Sequence, residues 1–431
     1  MRRLYSLIGL LLAVNIQAQE ALSFEDALAL TLENNYDIRI SRINEQVAEN
    51  NAERQANGYL PTVNTSGAYS WTYFESTNTL RTGEQSFDPN SSYNYNAAIT
   101  LSYTLFDGLG RKYRYQQAAN GKVLSSLELQ TIMESAVLQL SQFYHEVARL
   151  KQQTQSLDST VYNSVQRVKR AQYGYEYGQF TQLDVLNAQV DLDTDSINLM
   201  NSRQQLENTK RSLNLVMGVP VETVYEIQEA VQLISNMSAE EVVNSALEKG
   251  SRVLTAEQQQ RIAELGIGAN KSAWLPNIGV NGGYQYRGID DPNGAFLLSN
   301  NSLGPTATIN LNWNLFDGRN NVQMQNAKLQ LESSNTALER TKEQVRTEAL
   351  NTHGAYLNAL FVLQARESNV NTARNNFQRS EESFKLSQIT SVEFRQAQLN
   401  LLNSELLLSQ ALYEAKNIEL QMLGLMGELI K

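Results

Sequence analysis

The chain repeats itself once. Ser23-Phe-Glu-Asp26 and the ALALTLENN that follows match Ser238-Ala-Glu-Glu241 and VVNSALEKG, 215 residues on. Tyr59-Leu60-Pro61 matches Trp274-Leu275-Pro276 at the same offset. Leu105-Phe106-Asp107-Gly108 returns as Leu315-Phe316-Asp317-Gly318 after 210 residues, and Val216-Met217-Gly218 as Leu425-Met426-Gly427 after 209. One shared tetrapeptide arises by chance; four landmarks in one order do not. A period this long is the duplication of a large unit rather than a solenoid repeat. Whatever the first half builds, the second half builds again.

Each half switches from helical to strand periodicity and back. Ser23 with Asp26, and Ser238 with Glu241, are spaced as capping boxes that open a helix. Each of these helices is expected to run to its Leu-Pro landmark, where proline and its restricted predecessor force extended chain. Strands follow. In 63–73 the odd positions are Val63, Thr65, Gly67, Tyr69, Trp71 and Tyr73, against Asn64, Ser66, Ala68, Ser70 and Thr72. In 93–105 the set Tyr93, Tyr95, Ala97, Ile99, Leu101, Tyr103 and Leu105 faces Asn, Thr and Ser with one alanine. The second half repeats the pattern with Ile278, Val280, Gly282, Tyr284 and Tyr286, then Ala307, Ile309, Leu311, Trp313 and Leu315.

Such two-sided strands fit either a half-buried soluble sheet or strands with lipid on one side and water on the other. Three features favour the membrane. The strands have the ten or so residues a tilted span needs. Their polar faces are almost wholly uncharged. Aromatics gather at both strand ends, as in the interfacial girdles of outer-membrane barrels: Tyr59, Phe106, Trp274 and Phe316 near the helices, Trp71, Tyr73, Tyr93 and Tyr286 near the loops, with Trp313 beside Phe316. Four strands cannot close a barrel, since about eight is the smallest whose interior packs. Open edges are not tolerated in lipid. Other copies of the chain must complete the sheet.

After each strand pair the sequence becomes helical. No proline occurs from residue 90 to 219, and proline in a helix interior costs about 3 kcal/mol. Met133, Ala136, Leu140, Phe143, Val147, Leu150, Leu157, Val161, Val168 and Ala171 form a 3–4 seam broken only by Thr154 and Ser164. A helix from Gly108 to Tyr175 would be roughly 100 Å long. A turn over 174–180 and a returning helix to Met217 complete the hairpin. The second half copies it, with a turn near 387–389 and a return to Met426.

Of 431 residues none is cysteine, which excludes disulfides, thiolate zinc sites, thiol nucleophiles and lipidation of an N-terminal cysteine. Arg2 and Arg3, the apolar stretch Leu7–Val14 and the small Ala18 read as an export signal over residues 1–18. Its removal deletes two arginines and no acid, taking the net charge from −10 to −12. An acidic balance argues against nucleic acid. No later segment has eighteen consecutive apolar residues, so no transmembrane helix is expected.

With these features in place the sequence resembles the TolC family of outer-membrane efflux and secretion channels, over essentially the whole mature chain. The duplicated Leu-Pro strand starts, the duplicated Leu-Phe-Asp-Gly strand ends and the helical hairpin after each carry the resemblance. It implies an α+β membrane protein, a homotrimer in which four strands per chain close a 12-stranded antiparallel barrel continued into a long α-helical barrel. The implied layout is a signal peptide at 1–18 and a first repeat at 19–218, with strand pair 62–106 and helical hairpin 108–218. An equatorial linker at 219–237 precedes a second repeat at 238–427, with strand pair 277–316 and hairpin 318–427; residues 428–431 end the chain. It implies the outer membrane of a Gram-negative bacterium, with the helices in the periplasm. The implied role is the exit duct of a tripartite pump or type I secretion system, docked to a periplasmic adaptor and an inner-membrane transporter. A trimeric adhesive stalk with a β-anchor is the other reading; the duplication speaks against it, because a stalk needs one seam.

The family's gate lies at the periplasmic tips. Ser387-Gln-Ile-Thr-Ser-Val-Glu393 occupies that place, with Gly178-Gln-Phe-Thr-Gln-Leu-Asp184 as its counterpart. Glu393 matches the first gate acid, Gln396 replaces the second, and Asp184 is the first-half partner. A tyrosine and an arginine that lock the closed state in the family correspond to Phe384 and Ile389. Gly178, Gln179, Phe180, Ser387, Gln388 and Ile389 would be the adaptor contacts. Thr181 with Asp184 and Thr390 with Glu393 are equally spaced as capping boxes, so cap and gate both stay open for these acids. A ring of like charges would raise each carboxylate's pKa.

No enzyme reading survives the inventory. There are two histidines, His145 and His353, each on a long helix, and no Gly-x-Ser-x-Gly or His-Glu-x-x-His motif. Gly266-Ile-Gly-Ala-Asn-Lys-Ser272 lacks the Gly-Lys-Ser ending of a phosphate loop and sits at a helix end. No cofactor or metal is expected, and nothing identifies the cargo.

Overall fold

A computed structural model describes residues 21–228, 231–234, 237–291 and 298–430. The export signal over 1–18 and Pro292 lie outside the described residues. The elements are β1 (Ala21–Leu22), α1 (Phe24–Asn34), α2 (Tyr36–Asn51), β2 (Thr62–Leu80), β3 (Gly83–Asp107), α3 (Gly110–Glu176) and α4 (Gln182–Met217). Then come β4 (Glu226–Ile227), α5 (Ala239–Lys249), α6 (Ser251–Lys271), β5 (Asn277–Asp290), β6 (Ser299–Asn312), α7 (Gly318–Lys385) and α8 (Ser391–Leu425). The chain forms two compact units, one over Met1–Arg42, Leu129–Val253 and Lys342–Lys431, the other over Ile43–Glu128 and Leu254–Thr341.

In the first unit the expected helix before each Leu-Pro landmark is two helices. At Asn35 the side chain accepts from the amides of Asp37 and Ile38, starting α2, and donates to Val216 O at 2.8 Å. An asparagine that caps a new helix and is tied to α4 breaks the old one. The equivalent residue, Gly250, parts α5 from α6; a Cβ there would lie 3.0 Å from Leu425 O. The boxes at Ser23 and Ser238 form by one arm: each hydroxyl accepts from the amide three residues on, at 3.1 and 3.2 Å, while the Asp26 carboxylate turns to the Ser23 hydroxyl instead.

The heptad seam of α3 is buried: Leu140 and Leu150 are 0% exposed, each worth about 2–3 kcal/mol of transfer free energy. Its two polar interruptions have partners on α4, Thr154 on Ser202 and Ser164 on Asp195. Leu140, Tyr144 and Val147 join Leu213, Val216 and Met217 of α4 and Tyr225 and Ile227 of the linker in one cluster. The linker over 219–237 is anchored there: β4 pairs in parallel with β1, and the Tyr144 hydroxyl donates to Leu22 O and Gln228 O. The second half repeats the device with Tyr356, whose hydroxyl bonds Ile234 O and Glu419. His145 is stacked between Phe24 and Tyr413, and burial lowers its pKa. Hydrogen bonds place α3 against both α4 and α8.

In the second unit the sheet order is β2-β3-β5-β6, all antiparallel. β2 and β3 continue past the alternating segments to a turn at 81–82, so Trp71, Tyr73 and Tyr93 lie within strands rather than at their ends. β6 ends at Asn312, short of the expected 316. The Trp313 indole donates to Trp274 O at 3.1 Å, and Asp317 accepts from the Arg319 amide; these contacts turn Trp313–Phe316 out of the ladder and into α7.

Gly218 and Gly427 end the two returning helices in the left-handed conformation, at φ 69° and 70°. A Cβ at Gly218 would lie 2.3 Å from Asn34 O and one at Gly427 2.6 Å from Lys249 O. The same close approach is built twice. Gly218→Ala and Gly427→Ala are each expected to destabilise the first unit by about 1–3 kcal/mol, read as earlier thermal loss of helical circular dichroism.

Candidate functional site

The sheet register sorts the strand residues onto two faces. Val63, Leu101, Gly282 and Ala307 share one row; Thr65, Ile99, Tyr284 and Pro305 the next; Tyr103, Val280 and Ile309 another. A bulge between Thr104 and Phe106 drops Leu105 from the register and sets Phe106 opposite Ile278 and Leu311. This face is apolar and bare: Val63 is 66%, Ile99 59% and Ile309 73% exposed. The other face carries rows such as Asn64–Thr100–Gly283–Thr306 and Thr62–Ser102–Asn281–Thr308. β2 and β6 are the outer strands, each with one side unpaired among the described residues.

The girdle residues separate into two groups. Trp71 lies opposite Tyr93 and neighbours Tyr73, while Tyr286 pairs with Leu303. At the helix side Tyr59 lies under the Arg111 guanidinium, 5.4 Å from its centroid, with Tyr115 edge-on. Trp274 and Trp313 share a hydrogen bond, and Phe316 is 84% exposed.

The hairpin tips are built by different means. In the first, Gly178 takes φ 76° and the amides of Gln179 and Phe180 both donate to Gly174 O. The Phe180 ring closes over Gly174, where a Cβ would approach to 2.2 Å. In the second, Ser387 adopts φ 58°, unusual for a residue with a Cβ. Gln388 N donates to Ser383 O, and Ile389 leads to the Thr390 cap. Arg170, from α3, donates to Ser387 Oγ at 2.9 Å and lies 4.3 Å over the Phe384 ring, which stacks on Phe394. An arginine of the other hairpin thus reaches Phe384, one of the two residues expected in the place of the family's lock. Sequence reading missed Arg170 because its partners are 214 and 217 residues away.

Asp184 and Glu393 are not brought together; each is engaged at its own helix start. Thr181 N donates to Asp184 and Thr390 N to Glu393, both at 2.8 Å, and each threonine hydroxyl accepts in return from the acid's own amide. Both full capping boxes form. Within one chain the threonine hydrogen bonds hold both carboxyls below the ordinary carboxylate range, from Thr181's hydroxyl first for Asp184 and Thr390's amide first for Glu393. Gln396, exposed, donates to Asn400.

Above the tips lies a polar network that sequence reading also missed. Arg395 of α8 binds Asp195 of α4 through both terminal nitrogens, each at 2.7 Å. Asp195 also accepts from Ser164 at 2.6 Å. Arg167 bridges Asp191 and Ser391. Asp195 is 2% and Arg167 5% exposed. Two guanidinium groups and two carboxylates thus join the two hairpins, with Asp195 and Arg167 buried and Asp191 partly open to solvent. No group of three or more histidines and carboxylates that could hold a metal occurs among the described residues. No helix among them is long and apolar enough to cross a membrane.

The profile of the outer membrane efflux protein family matches residues 27–219 and 242–428, once per repeat. The chain belongs to this family, that of TolC, whose members are transport conduits rather than enzymes. No curated protein matches the sequence. Among solved structures the chain is similar to the CmeC outer membrane channel of Campylobacter jejuni, with a TM-score of 0.78 at 13% identity over 95% of this chain and 86% of that one. It is also similar to the outer membrane protein VceC of Vibrio cholerae, with a TM-score of 0.72, 14% identity, and 94% and 96% coverage. The MtrE outer membrane channel of Neisseria gonorrhoeae in its open state gives 0.65 at 16% identity, over 94% and 89%.

Removing one member of a buried ion pair strands the other, at about 3–5 kcal/mol. Arg395→Ala is therefore expected to destabilise the α4–α8 contact by that order, read by chemical denaturation and by faster amide exchange over 188–199. The two capping acids have depressed pKa values, so their contribution is complete at neutral pH, well above the unfolded carboxylate range. It is lost as pH falls through the lower folded values. Amide exchange in the first turns of α4 and α8, corrected for intrinsic rates, is expected to rise on acidification below about pH 4, and Asp184→Asn with Glu393→Gln should remove that dependence.

Proposed function

We propose that the chain works as a homotrimeric exit duct of a tripartite efflux pump in the outer membrane. Three four-stranded sheets close a 12-stranded barrel with the apolar face in lipid and the Asn/Ser/Thr face around water. The helical hairpins project into the periplasm, meet an adaptor at the tips 178–180 and 387–389, and receive cargo from an inner-membrane transporter. The observation that carries this reading is the pair of free edges on β2 and β6, beside an exposed apolar face. In lipid an unpaired strand edge costs several kcal/mol per group, and copies of the same sheet satisfy it.

The helices support the same closure. In the first unit α4 exposes Leu183, Leu186, Val190, Ile197 and Met200, and α7 exposes Leu350, Leu357 and Phe361. Both sets follow seam spacing and lack a partner within the chain, as the outer strands do. Each suits the other in a neighbouring copy. Leu357→Asp with Phe361→Asp is expected to leave the chain monomeric by light scattering in detergent.

The tips act as the gate. Arg170 holds the turn of the other hairpin through Ser387 and Phe384, and the acids Asp184 and Glu393 stand beside the opening, with Gln396 one turn on. In planar bilayers the trimer is expected to show discrete conductance. Arg170→Ala should raise the open fraction, and Glu393→Gln should weaken block by divalent cations. A trimer that inserts yet never conducts, even with both tip turns deleted, would sink the duct reading.

A further inference from the structure

The four places where strand meets helix lie side by side. Arg111 donates to Gly58 O and Leu105 O. Gly108 approaches Ser272 so closely that a Cβ would come within 2.6 Å of its carbonyl oxygen. Asn320 donates to Ala273 O. These junctions, residues 52–61, 105–115, 270–277 and 313–320, contain six basic and three acidic residues in a chain whose net charge is −10. The opposite end of the strands, 75–91, 287–291 and 298–300, has two basic and five acidic residues. Positive charge is therefore concentrated at one end of the sheet.

Part of it lies on the apolar side. The Arg111 guanidinium sits 5.7 Å from the centroid of Tyr103, whose row holds Val280 and Ile309. Arg114 reaches Asp107, which pairs with Asn277 on the polar face, and Arg111 touches the same carboxylate. At about 100° per residue, Lys112 lies about 160° around α3 from Arg114 and about 100° from Arg111. On α6 an open cavity of about 440 Å³, lined by Gln117, Gln259, Gly266 and Asn270, opens on the Arg114 side of α3, since Gln117 follows Arg114 by three. Lys271 lies on the side of α6 away from that cavity. Lys112 and Lys271 are exposed. Asp107, by contrast, is occupied by Arg111, Arg114 and the Arg111 amide.

We infer that Lys112 and Lys271, beside the fixed Arg111, form a belt that binds the phosphates of anionic phospholipids in the leaflet at the helix end of the sheet. Exposed ammonium groups next to an aromatic girdle stand at headgroup depth, where each cation gains from an anionic surface and its stem reaches along the apolar wall. The inference rests on the membrane reading above.

The test uses the full chain in vesicles of phosphatidylethanolamine with and without phosphatidylglycerol. Flotation reads insertion; native mass spectrometry of the extracted protein reads the lipid retained. Wild type is expected to retain phosphatidylglycerol preferentially. Lys112→Gln with Lys271→Gln should float equally well and lower that preference by up to about fivefold per cation removed. Arg287→Gln, which alters the polar face, should leave it unchanged. A double variant with undiminished preference overturns the belt. So does an equal loss in Arg287→Gln, which marks a net-charge effect, or displacement of the lipid by inorganic phosphate. Wild type that fails to float overturns the membrane reading and the belt with it.

Discussion

Backbone amides and carbonyls must be paired wherever water is absent, and the rest of this molecule follows from that requirement. A four-stranded sheet with one almost uncharged polar face, one bare apolar face and two open edges is unstable alone in water and intolerable alone in lipid. The same incompleteness recurs in the helices, where α4 and α7 carry exposed apolar seams. Strand edges and helix seams are thus both unfinished within one chain.

The polar interior of the helical part shows how two halves of common origin are kept in register. Apolar seams alone permit sliding by a heptad, because Leu against Leu is nearly the same one repeat further on. The buried pair of Arg395 with Asp195, supported by Ser164, permits only one alignment, since any slip leaves a charge dry and unpaired. Arg170 on Phe384 and Ser387 does the same at the tips with a softer contact. Near the linker the fixed alignment is reinforced by Tyr144 and Tyr356, which bond the crossing chain in both halves.

What the sequence made legible is what depends on local pattern. The duplication, the alternating strands, the seam of α3, the tip turns and both tip capping boxes follow from spacing along one segment, and the register of the sheet sets the odd residues of β2 and β3 on one face. What it hid depends on partners far away. The breaks at Asn35 and Gly250 arise from contacts with the ends of α4 and α8; nothing in ALALTLENN signals them. The early end of β6 depends on Trp274 receiving the Trp313 indole. Arg167, Arg170 and Arg395 look like ordinary surface arginines on long helices, because each has a partner on the other hairpin: Ser391 for Arg167, Ser387 and Phe384 for Arg170, and Asp195 for Arg395.

The buried network also sets the two halves apart. At the offset of 209 that relates the returning helices, Leu186 stands where the second half has Arg395, and Asn400 and Ser404 stand where the first has Asp191 and Asp195. The first half alone would bury Asp195 without the arginine that binds it, and the second alone would leave Arg395 without its acid. Each half of a duplicated chain thus carries a different half of one electrostatic bond, so at this contact neither can substitute for the other.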